Sequence, residues 1–224
     1  MQIRSWRSLG VLLVVAGILG GVMVGCSSSE TQVSMKPLSQ TAVITDDSGI
    51  STDGSAAWPT VLAAQSETTD AYVDADAGSG YLIVGDSGQN AEQRVREAVA
   101  SSGVSTLIIA LGMRDVDAGY VDEEQAVSAI TAALAPAASV GVRVVVLAPI
   151  SVTGEWNSLA RQWASWLMEA AQSVGVEYLN PVESGWIVAD GQVADSTGLH
   201  FTREGSMTFA EELSEHLGLG ESEQ

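Results

Sequence analysis

The stretch TAVITDDSGISTDGSAAWPTVLA (residues 41–63) sets the pattern from which the rest of the chain is read. TAVIT (41–45) is a short apolar run of strand type. A polar, glycine-containing loop follows, and then AAWPTVLAAQS (56–66) turns helical. Pro59 falls in the first turn of that helix, where a missing N–H costs nothing. Strand, polar loop, helix is the unit of an α/β domain.

The same alternation continues to the end of the chain. Strands are expected at 71–77, 105–112, 142–149 and 176–181, and helices at 90–103, 121–139, 154–175 and 202–217. STLIIALG (105–112) and VRVVVLAP (142–149) are apolar throughout, as strands covered on both faces are. Gly103 stops the second helix. Asp122, Glu123 and Glu124 suit a helix start. Five strands joined by helices imply a three-layer α/β/α sandwich around a five-stranded parallel sheet of flavodoxin-like topology. Ligands in such folds bind beyond the carboxyl ends of the strands. The rule brings loops 46–55, 78–89, 112–120, 149–154 and 181–201 to one rim.

Residues 41–219 form this domain, and two segments precede it. Residues 1–25 carry Arg4 and Arg7, then an apolar run, then Cys26, which is the layout of a secretory signal. MVGC followed by SSSE resembles a bacterial lipoprotein signal, in which Cys26 becomes the lipidated first residue. Residues 26–40 are polar and aperiodic, a tether. The expectation is a protein anchored by lipid on the extracytoplasmic face, or secreted.

Composition removes several functions. The 224-residue chain carries a formal charge of −19, which becomes −21 without residues 1–25. Nothing would neutralise phosphates, so nucleic acid is not expected as a partner. Cys26 is the single cysteine, and His200 and His216 are the only histidines. Internal disulfides, thiolate clusters and multi-histidine zinc sites are ruled out, and no cofactor is implied. Oligomeric state leaves no mark in the sequence.

Chemistry-bearing residues collect on the expected rim. Ser48 follows the first strand and Gly78 and Gly80 the second. Arg114 and Asp115 follow the third, and His200 precedes the last helix. A serine becomes a nucleophile when a base takes its proton, and histidine suits that role near neutrality. Glycine lets backbone N–H groups approach a developing oxyanion. A second serine competes with Ser48. YLIVGDSGQNAEQRV (81–95) reads like an apolar strand, a tight turn and a helix, with Ser87 on the turn. Choosing Ser87 would leave the first strand and helix without a role, and the bland reading of GDSG (85–88) is a surface turn.

The order DDS…AWPTVLA…GSGY…LIIALGMRD…DSTGLHFTREG resembles the SGNH, or GDSL-type, hydrolase family over about residues 41–217. The resemblance implies an ester hydrolase acting on small or glycan-borne acyl esters. It implies Ser48 as nucleophile and His200 as base. It also implies an oxyanion hole from the Ser48 N–H and Gly78, or less favourably Gly80, with Arg114 where the family has Asn. Three positions depart from the pattern. Asp46 replaces a glycine, Arg114 an asparagine, and Thr197 stands at the acid's place, with Asp195 the nearby substitute. Arg114 either binds an oxyanion or pairs with a neighbouring acid. The changes fall on the reacting positions, so a non-catalytic binding or scaffolding protein on the same fold is the alternative.

Trp156, Trp163 and Trp166 recur near helical spacing and are expected to pack against the sheet. Trp186 is placed to shape the rim, and His216 to lie on the surface.

Overall fold

The computed structural model describes residues 40–65, 71–101, 103–150, 158–187 and 200–219. Residues 1–39, with Cys26 and the expected signal, lie outside them. So do Trp156, Asp195 and Thr197.

Five strands form one sheet: β1 (Gln40–Thr45), β2 (Tyr72–Ala75), β3 (Val104–Ala110), β4 (Arg143–Leu147) and β5 (Glu177–Leu179). Their order is β2-β1-β3-β4-β5, and every pair is parallel. The chain leaves β1 in one direction to reach β2 and in the other to build β3, β4 and β5. The reversal between β1 and β3 opens a crevice at their carboxyl ends, where this class of sheet binds ligands.

Among the described residues six α-helices lie between or after the strands: α1 (Trp58–Gln65), α2 (Ala91–Ala100), α3 (Met113–Asp117), α4 (Glu123–Ala138), α5 (Ser158–Val174) and α6 (Arg203–Leu217). Side-chain alternation along the strands sends their apolar residues to two cores. Ala42, Ile44, Leu107, Ile109, Val144 and Val146 face α2, α4 and α5. Val43, Ile108, Ala110, Val145 and Leu147 face α1 and α6. This is why the central strands read as unbroken apolar runs.

Ends of the elements differ from expectation by a few residues, with one larger discrepancy. Residues 81–83, which read like an apolar strand, form bends. Their backbone N–H groups are held by a carboxylate instead of a neighbouring strand, as described below. The short helix α3 was not anticipated. Gly112 precedes it with φ 115, a conformation that side chains rarely adopt, and this lets the chain turn sharply from β3 into the helix. A capping box between Asn90 and Gln93 starts α2.

Trp163 and Trp166 pack as expected. Trp163 and Trp166 are buried and meet edge to face at 5.5 Å. The Trp163 indole N–H donates to the Tyr120 carbonyl at 2.9 Å. On the other face Phe209 contacts Trp58 at 5.1 Å, Phe201 at 5.3 Å and Trp186 at 6.4 Å between ring centroids. His216 is exposed on α6, and its ring lies 5.3 Å from that of Trp186. Phe209 therefore joins α6 to α1 and to the segment entering α6. Phe209→Ala should cost about 3–5 kcal/mol in urea-induced unfolding. A cost below about 1 kcal/mol would show that this aromatic cluster does not hold α6.

Candidate functional site

The site grows from the end of β1. Asp46 leaves the strand, and Asp47–Gly49 form a single 3-10 turn. Asp46 caps that turn, its Oδ1 accepting the Ser48 N–H at 3.1 Å. The nearby Ser48 hydroxyl and Met113 N–H also favour the ionised form of Asp46. Its side chain is completely enclosed, and burial pushes its pKa up to about 7 against the lowering effect of those bonds.

The loop after β2 brings the next group. Gly78 has φ 70, and a side chain built on it would meet nothing within 4 Å, so its outer face is open. Its N–H donates to Asp47 Oδ2 at 2.9 Å. The α3 helix brings Arg114, whose Nε donates to the same Oδ2 at 2.8 Å, while a terminal nitrogen reaches Oδ1 at 3.3 Å. Asp117 stands 4.0 Å from the guanidinium on its other side. A backbone N–H and a guanidinium thus converge on one carboxylate oxygen.

Asp115 holds these pieces in register. It is buried, and its two oxygens accept the N–H groups of Tyr81 at 2.8 Å and Leu82 at 3.0 Å. Burial raises its pKa to about 6, although the backbone bonds favour the ionised form. Gly80 lies against this carboxylate so closely that any Cβ there would collide with it.

Arg94 supplies the deeper support. It is fully buried, and its guanidinium binds the Asp74 carboxylate at 2.9 Å and the Ser79 hydroxyl at 2.7 Å. It also binds the carbonyls of Thr45 at 2.8 Å and Asp74 at 2.9 Å. One side chain from α2 therefore ties the ends of β1 and β2 to the residue after Gly78. Its signal was in the sequence: positions 91, 94, 95 and 98 make one apolar helix face, interrupted only by Arg94.

These positions revise several expectations. The Ser48 N–H is engaged by Asp46, so it is not a free oxyanion donor. Gly80 is not one either, because its N–H closes a turn onto the Ile83 carbonyl at 2.9 Å. The reason for glycine there is the Asp115 contact. Ser48 lies at the expected place after β1, but it is buried, with its hydroxyl 3.3 Å from that of Thr45. The side chain that the turn presents to Gly78 and Arg114 is that of Asp47, which the sequence reading passed over. Arg114 pairs with a neighbouring acid, the second of its two expected roles. Ser87 is tied into a turn, its hydroxyl and N–H donating to Asp76 at 2.7 and 2.9 Å. His200 is partly buried, just ahead of Thr202, which caps α6. Among the described residues no group of histidine, cysteine or acidic side chains is arranged to hold a metal ion.

Sheet order, parallel pairing and the rim position of the site allow comparison with solved structures. The carbohydrate acetylesterase Est24 of Sinorhizobium meliloti superposes with a TM-score of 0.58 at 12% identity, over 80% of this chain and 98% of that one. The fold is that of GDSL-type esterases. An aryl esterase of M. smegmatis gives 0.58 at 15% identity over 81% and 99% of the two chains. A putative lipolytic protein of the G-D-S-L family from Desulfitobacterium hafniense gives 0.58 at 17% over 79% and 98%. By sequence, no protein-family model and no curated protein matches the chain. At 12–17% identity these likenesses establish the fold.

Two tests follow from the buried charges. Arg94→Met removes the cation from the Asp74 carboxylate and a donor from the Thr45 and Asp74 carbonyls, and should lower stability by about 3–5 kcal/mol. An unchanged unfolding midpoint would mean the clamp is dispensable. The second test concerns Asp46. A carboxyl whose pKa is raised on folding gives its greatest relative stability below the unfolded value of 3.8, and this is lost as pH climbs to about 7. Asp115 acts with the same sign up to about 6. The melting temperature should therefore fall by several degrees between pH 4 and pH 7, and Asp46→Asn should shrink that fall. Equal pH dependence in both proteins would refute the assignment.

Proposed function

We propose that the protein is an acyl-ester hydrolase, anchored through Cys26 on the extracytoplasmic side, acting on small or glycan-borne esters. The observation that carries this reading is the convergence of the Gly78 N–H and Arg114 Nε on one oxygen position, at 2.9 and 2.8 Å. Fixed donors aimed at one point are what a carbonyl oxygen needs as it gains charge. The esterase fold of the structural neighbours supports the same reading.

In this mechanism Asp47 leaves the cradle and the ester carbonyl oxygen takes its place. Ser48 turns from Thr45 and attacks the carbonyl carbon, and His200 accepts its proton. His200 returns that proton to the departing alcohol. Water then attacks the acyl carbon, giving a proton to His200; the acyl–Ser48 bond breaks, His200 returns that proton to Ser48 Oγ, and the acid leaves as its carboxylate. Asp195 would orient His200. The 3-10 turn that must rearrange is only three residues long, so the change is local.

A second reading is favoured by one specific observation. Asp47 already fills the cradle, and the Ser48 hydroxyl is buried against Thr45 and Asp46. A protein that binds a ligand on this rim without turning it over needs neither movement.

Reaction with a fluorophosphonate probe separates the two, because only an activated serine is labelled. Hydrolysis expects a labelled Ser48, and p-nitrophenyl butyrate turnover that falls at least about a hundredfold in Ser48→Ala and in His200→Ala. Turnover equal in wild type and both variants, with no label, would leave the binding reading standing.

A further inference from the structure

Asp47 is an unusual neighbour for two anion-seeking donors. The Gly78 N–H and Arg114 Nε both address Oδ2, and the second Arg114 nitrogen addresses Oδ1. This is the arrangement by which a guanidinium and a backbone amide hold a free carboxylate. The pair is not sealed. The Arg114 side chain keeps 33% of its surface and Asp47 keeps 11%, and the outer side of Gly78 is open. The 3-10 turn that carries Asp47 is short, whereas the donors are fixed from behind by Asp115 and Arg94. The acceptor can therefore leave while the donors stay in place.

We infer that Asp47 is an internal ligand, an autoinhibitory carboxylate occupying a site that otherwise takes the carboxylate of a short acyl acid. This deepens the ester-hydrolase reading, since such an acid is what ester hydrolysis releases. It is tested without turnover. A carboxylate from solution must displace Asp47 and strand its charge beside Asp46, whose side chain is the nearest acid behind the turn, and beside Asp117, which flanks Arg114. Both oppose entry, so the intact protein binds such acids weakly. Removing the Asp47 side chain vacates the two donors and leaves Arg114 with Asp117 as its remaining acidic neighbour among the contacts described.

The probe is butyrate, followed by ligand-observed NMR on the full chain. Asp47→Ala should bind it at least about tenfold more tightly than wild type, the gain expected from one freed charge-assisted hydrogen bond. The double variant Asp47→Ala/Arg114→Gln should lose that gain. Asp47→Asn, which keeps the size of the side chain, should fall between, and it secures the comparison if the alanine variant folds poorly. Equal butyrate affinity in wild type, Asp47→Ala and Asp47→Asn overturns the inference, as does a gain that survives in the double variant. p-Nitrophenyl butyrate turnover is measured on the same samples. Butyrate gain without any turnover retains the internal ligand and rejects the hydrolase; turnover without butyrate gain does the reverse.

Discussion

A buried guanidinium holds this rim together. Arg94 lies inside the protein with no exposed surface, in a place where an unpaired charge would be very costly. It is tolerated because every direction it points in offers an acceptor: a carboxylate, a hydroxyl and two strand-end carbonyls. The carbonyls of Thr45 and Asp74 lie near the carboxyl ends of adjacent parallel strands, and that of Thr45 takes Arg94 as a second donor beside the Asp76 N–H at 3.1 Å. Arg94 binds both and in doing so fixes where the loops after β1 and β2 begin. The positions of Asp46, Asp47 and Gly78 all descend from that arrangement.

Asp115 repeats this logic with the charge reversed. Its oxygens collect N–H groups from a loop that makes no strand pairing there. Residues 81–84 look like a strand because they are apolar, but a carboxylate from α3 supplies the acceptors a neighbouring strand would have supplied. The loop bearing Gly78 and the helix bearing Arg114 are thereby linked, and their donors can share one target. Two buried charges of opposite sign, on different elements, thus define a small anion cradle more firmly than the apolar core alone could.

The cradle's occupant gives the site its chemistry. Arg114 and the carboxylate at position 47 make a matched pair: each charge answers the other. Arg114 is thereby understood as one half of an ion pair with Asp47. Asp46 sits behind that pair, buried and bonded to the Ser48 N–H, so the turn carries two adjacent acids in different environments.

Periodicity and composition determined the alternating α/β order, the apolar central strands and the loops that share the rim, because burial on both faces of a sheet writes itself directly into residue type. The loops after β1, β2 and β3, which carry Asp47, Gly78 and Arg114, were legible as a group for the same reason. What only the tertiary structure decided was direction. Whether Asp47 or Ser48 faces Gly78, whether Arg114 is engaged, and why Gly80 must be glycine all depend on contacts between segments 31 to 67 residues apart. A one-residue change in a turn reverses which side chain looks outward, and no local pattern records that choice. It is made by the donors waiting on the far side of the crevice.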